Sequence, residues 1–296
     1  MLVNLKEILN DAKKGGYAVP AFNVYNMETV MGVIYAAERL HAPVIIQSYS
    51  RLFKEDTSFF IAPMVLAAAN RAKVPVCYHL DHGASELETN RALRLGCTGV
   101  MIDASTLDFD GNAALTRRVV ETAAYSGVYV EGELGHVGSV NDDAMDEFTE
   151  PEQAARFVRE TGVAALAVLV GSAHGKYKKP PKLDIQRTAD IAAATGIPLV
   201  LHGGSGIPDD QIRAAVKAGI CKVNYATDLC YAFIAAQTAQ PYRSKEVALW
   251  KLQVNTKLLR RTLQSLYRRT RFPSSSEVSC ERQSAAASTN SSTRST

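Results

Sequence analysis

The stretch VPVCYHLDHG, residues 74–83, begins as an apolar run and ends with two histidines and an aspartate within four positions. Its short length, with Pro75 near the start and Gly83 at the end, favours a buried β-strand over a helix. Asp81 and His82 then lie at the carboxyl end of that strand. Open α/β sheets and closed α/β barrels both place their functional groups there, so the rest of the chain must distinguish the two folds.

Short apolar runs of this kind recur and alternate with segments of helical periodicity. Segments such as 27–41 and 151–162 place apolar residues at helical spacing, and many of them end in glycine. The strand-like runs are residues 18–24, 43–48, 74–81, 99–104, 127–134, 163–170, 197–203 and 220–226. Eight strand–helix units favour a barrel over a doubly wound sheet, which usually has fewer strands and a glycine fingerprint after the first. We therefore predict an α/β fold, a (β/α)8 TIM barrel with a divergent C-terminal tail.

The charge distribution divides the chain into parts. The 296 residues, 47% of them hydrophobic, are enough for one large core. Residues 241–296 hold eleven of the 33 basic residues and three of the 30 acidic ones, which leaves 22 basic and 27 acidic residues in the first 240. We predict a barrel domain over 1–240, a basic helical extension over 241–271 and a disordered Ser/Thr-rich tail over 272–296. The mildly acidic body argues against nucleic acid as a partner of the barrel.

The sequence predicts a cytoplasmic protein whose barrel does not bind a membrane. It lacks both a run of about 18 apolar residues and a signal-peptide-like start. Its five cysteines are an odd number without CxxC spacing, which favours reduced thiols over a disulfide framework.

Three of the six histidines directly follow predicted strands three, six and seven: His82, His174 and His202. Three imidazoles with one coordination position left open are the composition of a catalytic zinc site. One histidine at a strand end is more often structural, but three at one rim favour a metal. The others are interpreted as structural or as supports for the ligands: His41, His79 and His136.

Carboxylates at the same rim suggest acid–base chemistry. Asp81 adjoins the predicted ligand His82, so it could reach a substrate held on the metal and act as a general acid/base. The alternative is a carboxylate that only orients a histidine. Asp103 and Glu133, after strands four and five, either form an additional or transient cation position or pair with basic residues.

Glycine-rich turns at residues 171–178 and 202–206, with NYATD at 224–228, predict a phosphate site. Small residues let backbone N–H groups approach an anion, and barrels commonly bind phosphate after strands seven and eight. Polar groups that could complete the substrate site are Asn23, Lys178, Ser205 and Thr227.

The motifs HLDHG, MIDAS, EGELGHVG, GSAHGKY, LHGGSG and KVNYATDL, in this order, resemble the class II, zinc-dependent ketose-bisphosphate aldolases over roughly residues 1–232. The resemblance implies cleavage of a ketose 1,6-bisphosphate to dihydroxyacetone phosphate and glyceraldehyde 3-phosphate. It implies a homodimer or homotetramer, and an accessory subunit is an open alternative. It also implies Zn²⁺ and, near the phosphate turns, a monovalent cation, Na⁺ or K⁺.

Carried over position by position, the resemblance makes His82, His174 and His202 the zinc ligands and Asp81 the acid/base. The implied contacts with dihydroxyacetone phosphate are Gly175, Gly203, Gly204, Ser205, Asn224, Tyr225, Ala226 and Thr227.

Ala226 stands where fructose-specific members often have Asp and tagatose-type members carry Ala or Gly, which favours tagatose 1,6-bisphosphate over fructose 1,6-bisphosphate. The sequence departs from the family in two places. Asn141 stands where the family has a Glu thought to move the C3 proton, so that either Asp142 or Asp143 substitutes or proton exchange is impaired. Beyond about Phe233 the chain no longer resembles the family's final helices, as an altered reading frame or a replaced end would explain.

Other functions remain open at this stage. A zinc-dependent hydrolase could use the same barrel and metal, although it would not need all three phosphate-type turns. A non-catalytic or impaired aldolase-like subunit would fit Asn141 and the unusual end of the chain. The basic tail could bind RNA or an anionic membrane, or could be a solvated appendage.

Overall fold

The computed structural model describes residues 1–140, 148–178 and 181–238, which form a closed eight-stranded barrel. Every strand is parallel to its neighbours, and β8 pairs with β1 to close the sheet. The strands are β1 Val19–Asn23, β2 Val44–Tyr49, β3 Val76–Gly83, β4 Gly99–Ile102, β5 Tyr129–Leu134, β6 Ala165–Val168, β7 Leu199–Leu201 and β8 Ile220–Tyr225. Each predicted run overlaps one observed strand, so the predicted TIM barrel is confirmed.

Helices connect the strands on the outside of the barrel. In the described residues they are α1 Leu5–Gly15, α2 Met27–Leu40, α3 Ser50–Lys54, α4 Thr57–Arg71, α5 Glu86–Arg94, α6 Phe109–Ala124, α7 Pro151–Thr161, α8 Ile185–Thr195, α9 Asp209–Ala218 and α10 Thr227–Thr238. The side chains of Asn26, Ser85 and Asp108 accept backbone N–H groups at the start of α2, α5 and α6. Glycines in the left-handed conformation, Gly162 and Gly196, end α7 and α8.

Two helices lie outside the regular alternation and were not predicted. The short α3 follows β2 and precedes α4. The first helix, α1, precedes β1, and its buried Leu5, Leu9 and Ala12 belong to the same apolar cluster as the residues inside the barrel. Because this apolar face covers the end of the barrel opposite the strand C-termini, that end carries packing rather than chemistry.

Alternating side chains divide the core into an inner and an outer layer. Ala21 and Ile45 belong to the inner apolar cluster, whereas Phe22 and Ile46 belong to the larger cluster between the sheet and the helices. The interior is therefore filled by side chains. The inward-facing residues at the carboxyl end of each strand form the floor and rim of an open cavity.

Two further expectations from the sequence concern the cysteines and membrane-spanning helices. Cys77, Cys97, Cys221 and Cys230 are free thiols, as expected. None of the helices in the described ranges has the length and apolar character needed to cross a bilayer. The predicted extension at 241–271, the predicted tail at 272–296 and the loop residues Asn141, Asp142 and Asp143 lie outside the described residues.

Candidate active site

A cavity of about 540 Å³ opens at the carboxyl ends of the strands, where the sequence predicted the functional rim. It is bordered by residues of β1, β2, β3 and β8, by the start of α3 and by the loops after β4, β5, β6 and β7. Among the residues predicted for the site, those that line it are Asn23, Asp81, His82, Asp103, His174, Gly175, Gly203, Ser205, Asn224, Ala226 and Thr227.

Three histidines meet beside this cavity. His82 is the second-last residue of β3 and has a φ of 50°. His174 lies in the loop after β6, and His202 directly follows β7. One nitrogen from each ring lies within 4.8 Å of the nitrogens of the other two. The predicted three-histidine cluster therefore forms in space, although its members come from widely separated segments of the chain.

Hydrogen bonds orient two of these rings toward each other. His82 Nδ1 lies 2.7 Å from Asp103 Oδ2, and His202 Nε2 lies 2.9 Å from Glu131 Oε1. The remaining nitrogens, His82 Nε2 and His202 Nδ1, are 2.9 Å apart. If each ring donates its proton to its carboxylate, the two remaining lone pairs face each other and require a shared cation. Carboxylate-oriented histidines are the usual support of a bound metal, so these residues fit zinc.

The electrostatics of the rings differ sharply in the metal-free site. Burial lowers the pKa of His82, but the nearby carboxylates of Asp81 and Asp103 outweigh burial and raise this pKa to about 10. Burial and the neighbouring His82 lower the pKa of His174 to about 4 and hold the pKa of His202 well below its usual range. At neutral pH the cluster therefore carries one extra proton, on His82, in the place that a metal cation would take.

Asp103 and Glu133 lie close enough to His82 to form a second set of ligands, with one atom from each within 4.8 Å of the others. Burial raises the pKa of Glu133 to about 8, and the carboxylate of Asp103 contributes. Burial also raises the pKa of Asp103, but the hydrogen bond and charge of His82, together with the hydrogen bonds from Ser105, outweigh burial and lower this pKa below the usual range. Glu133 lies inside β5, not after it as expected, and its side chain is fully buried.

Asp81 is held by two amides at the floor of the cavity. Asn23 Nδ2 donates to Asp81 Oδ2 at 2.7 Å, and Asn224 Nδ2 donates to Asp81 Oδ1 at 3.1 Å. Gln47 Nε2 in turn donates to Asn23 Oδ1 at 2.8 Å. The carboxylate is 4% exposed and lines the cavity, so it is both fixed in position and able to meet a bound molecule. Asn23, predicted as a substrate contact, here also positions Asp81.

The glycine-rich turns occupy one side of the cavity. Gly175, Ser205 and Thr227 line it and also line a smaller adjoining cavity of about 260 Å³. Lys178 lies at this second cavity and not at the first. Gly204 packs its Cα against Val223 and the Asn224 backbone, directly behind the turn.

Tyr225 does not line either cavity described here. Its ring is buried in the outer core layer and stacks on Phe22, with ring centroids 5.6 Å apart. The reason is the alternation along β8: Asn224 points inward to Asp81, so the next side chain points outward. Only the backbone of Tyr225 is placed near the cavity.

Three polar residues at or below the cavity were not assigned a functional role from the sequence. Gln47, Glu131 and Lys222 are fully buried inside the barrel, where apolar side chains are the norm. Their signal in the sequence is a polar residue at an inward-facing position of a buried strand. His136, expected to be structural, lines the cavity and hydrogen-bonds Ser105 Oγ through Nδ1 at 2.9 Å.

The turn after β7 should tolerate no side chain at Gly203. This residue has φ of 65°, and an added Cβ would collide with the carbonyl of Ala173. We expect Gly203→Ala to lower the free energy of unfolding by clearly more than the roughly 1–2 kcal/mol that the left-handed conformation alone costs. Gly196→Ala is the matched control, since Gly196 has φ of 67° and open space around it. Equal losses for the two variants in urea unfolding would contradict this account of the turn.

Comparisons with known proteins identify the family of the chain. The family model of class-II fructose-bisphosphate aldolase matches residues 3–271, which extends past residue 232, where the sequence resemblance was expected to end. The crystal structure of the YdjI aldolase from Escherichia coli K12 is 35% identical, with a TM-score of 0.82 over 90% of this chain and 97% of that one. A protein from Coccidioides immitis assigned as a fructose-1,6-bisphosphate aldolase is 25% identical, with a TM-score of 0.83 over 89% of this chain and 96% of that one.

The fructose-bisphosphate aldolase of Campylobacter jejuni, at 22% identity and a TM-score of 0.75, shares the fold over 90% of this chain and 95% of its own. The family match covers nearly the whole chain, and the YdjI aldolase is similar over most of both chains. The protein belongs to the class-II fructose-bisphosphate aldolase family.

Proposed function

We propose that the protein reversibly cleaves a ketose 1,6-bisphosphate between C3 and C4, giving dihydroxyacetone phosphate and glyceraldehyde 3-phosphate. The observation that carries this proposal is that two members of the three-histidine cluster, His82 and His174, border one cavity together with Asp81 and the glycine-rich turns. Membership of the family supports a phosphorylated sugar as the substrate, as does the assignment of the Coccidioides relative.

His82, His174 and His202 would hold zinc, because their three nitrogens converge and two of the rings are oriented by carboxylates. When bound there, zinc supplies Lewis-acid chemistry that polarises the substrate carbonyl and stabilises negative charge on the departing three-carbon fragment. Asp103 and Glu133 offer an additional or transient cation position next to His82. A monovalent cation, Na⁺ or K⁺, near the phosphate turns is a further part of the proposal.

Asp81 would move the proton that starts cleavage. Its carboxylate accepts the proton of the C4 hydroxyl, the C4 oxygen becomes the carbonyl of glyceraldehyde 3-phosphate, and the C3–C4 electron pair stays on the other fragment as an enediolate. Protonation of that enediolate at C3 gives dihydroxyacetone phosphate. In condensation Asp81 returns its proton to the new C4 hydroxyl. The amides of Asn23 and Asn224 would keep the carboxylate aimed at this hydroxyl.

The 1-phosphate would lie against the backbone of Gly175, Gly203 and Gly204 and the hydroxyls of Ser205 and Thr227. Gly175 and Gly203 line the main cavity, where their backbone could approach an anion, and Lys178 at the adjoining cavity would add positive charge. The backbone at Asn224, Tyr225 and Ala226 would complete this end of the site.

Ala226 lines the cavity and underlies our preference for tagatose over fructose 1,6-bisphosphate. The test is a coupled-enzyme assay of triose phosphate release from both sugars, which differ only in the configuration at C4. We expect cleavage of both, faster with the tagatose sugar. A failure of folded, zinc-loaded protein to cleave either would refute the proposed activity and favour a non-catalytic, aldolase-like subunit. Cytoplasmic location and a homodimeric or homotetrameric state remain predictions.

Zinc binding should depend on pH through His82. Because the pKa of His82 is about 10 and those of His174 and His202 are low, one proton must leave His82 when zinc binds at neutral pH. The apparent affinity should therefore fall about tenfold for each pH unit between pH 9 and pH 7. Competition with a chromophoric chelator measures this slope. An affinity independent of pH in that window would show that His82 titrates near its usual value of about 6.5.

A further inference from the structure

Directly below the three-histidine cluster, the barrel interior contains a lysine and a glutamate in contact. Lys222 Nζ on β8 lies 2.8 Å from Glu131 Oε2 on β5, and both side chains are fully buried. Lys222 lies two residues before Asn224, and Glu131 lies two residues before Glu133. Since residues two apart on a strand face the same side, the pair forms the layer beneath the floor of the cavity. The proposed proton transfers do not use either residue.

The two oxygens of the Glu131 carboxylate have different partners. Oε2 contacts Lys222, while Oε1 accepts a hydrogen bond from His202 Nε2 at 2.9 Å. A carboxylate can rotate about its Cγ–Cδ bond, and the charge of Lys222 beside one oxygen, an ion pair without hydrogen-bond geometry, disfavours that rotation. Oε1 then stays directed at His202, whose Nε2 must carry the proton, so that Nδ1 presents its lone pair to the cluster.

Stability alone does not explain why this pair is inside the barrel. Removing two charges from water costs free energy that their attraction often fails to recover. Replacing such a buried ion pair by well-packed apolar residues frequently leaves the stability unchanged or raises it. Most of the same interior is apolar, with Ala21, Ile45 and Val200 among its members. Besides Lys222 and His202, His79 also lies near Glu131, with Nε2 3.4 Å from Oε2. Of these residues, His202 belongs to the three-histidine cluster, so the pair of Lys222 and Glu131 lies where it can act on a proposed zinc ligand.

We propose that Lys222 and Glu131 are positioning residues that hold His202 in the tautomer and orientation needed to bind zinc. The inference rests on the proposed zinc site of the aldolase. Lys222 acts through Glu131 and Glu131 acts through His202, while neither touches the cavity. Supports of this kind typically change metal affinity by about 10–100-fold when they are removed.

The test compares zinc affinity in Lys222→Met with the unmodified protein by chelator competition. The substitution keeps the length of the side chain and removes the ammonium group, and we expect affinity to fall about 10–100-fold. Ile45→Ala is the matched control, because it opens space in the same interior without touching a charged group. If Lys222→Met does not fold, the double variant Lys222→Met/Glu131→Gln, which leaves no unpaired charge, takes its place with the same expectation.

A second measurement distinguishes a specific effect on the tautomer of His202 from a general loss of packing in the barrel interior. Two-bond ¹H–¹⁵N correlations of metal-free, ¹⁵N-histidine-labelled protein, assigned with His202→Gln, report which nitrogen of His202 carries the proton. We expect the Nε2–H form in the unmodified protein and in Ile45→Ala, and a mixture of tautomers in Lys222→Met. Affinity within twofold of the unmodified protein, with His202 unchanged, would overturn the inference. Failure of the unmodified protein itself to bind one zinc would instead refute the zinc site on which the proposed function depends.

Discussion

Replacing Asp81 by asparagine is expected to lower kcat for aldol cleavage by about 10²–10⁴-fold, the usual contribution of a positioned general base. Asparagine keeps the shape of the side chain but cannot accept the C4 hydroxyl proton. Because Asp81 is not one of the three proposed zinc ligands, zinc content should stay at one per chain. Initial rates with the coupled triose phosphate assay, together with metal analysis of the same samples, measure both effects.

The control for this substitution is Asp110→Asn, which makes the same chemical change at a carboxylate paired with Arg156 on the surface. Its side chain is 82% exposed, so we expect activity and stability close to those of the unmodified protein. If Asp81→Asn retained kcat within about threefold, the proposed acid–base role of Asp81 would be wrong. Loss of zinc together with activity would mean instead that Asp81 maintains the metal site.

Replacing His202 by glutamine should have a comparably large effect for a different reason. His202 contributes one of three converging nitrogens, and its loss also leaves the buried Glu131 without a hydrogen-bond donor at Oε1. We expect zinc affinity to fall by more than the roughly 10–100-fold typical of a supporting residue. Cleavage should fall by about 10²–10⁴-fold, because the metal supplies several kcal/mol of transition-state stabilisation.

His136→Gln is the matched control for the metal site, since His136 lines the same cavity but lies outside the three-histidine cluster. Zinc stoichiometry should be unchanged in this variant. If His202→Gln kept both zinc and activity while His136→Gln lost them, the ligands would have to be reassigned.

The barrel and its rim could be predicted because they depend on local patterns. Apolar runs of strand length, followed by polar or glycine-rich positions, reveal both a strand and its carboxyl end, as at residues 74–83 and 197–203. Eight parallel strands then bring these ends together without further information. His82, His174 and His202 meet for this reason alone, which is why their cluster could be foreseen from three separate segments.

The supporting contacts could not be predicted in the same way. Which inward-facing residues meet depends on the register and tilt of the strands, both between neighbours, as for Gln47 with Asn23, and across the barrel, as for Lys222 with Glu131. A small error in strand phase also changes which side chains point inward. Tyr225 illustrates the point, because one step along β8 separates it from Asn224 and turns its ring into the outer core.

The most direct test of the central claim is triose phosphate release from tagatose 1,6-bisphosphate before treatment with EDTA, after it, and after zinc is restored. Chelation should remove the metal held by the three histidines, and added zinc should return it to a fold that remains intact. We expect EDTA to abolish cleavage and about one equivalent of zinc per chain to restore it. If cleavage persisted in protein shown by metal analysis to be free of zinc, the proposed zinc-dependent reaction would be wrong.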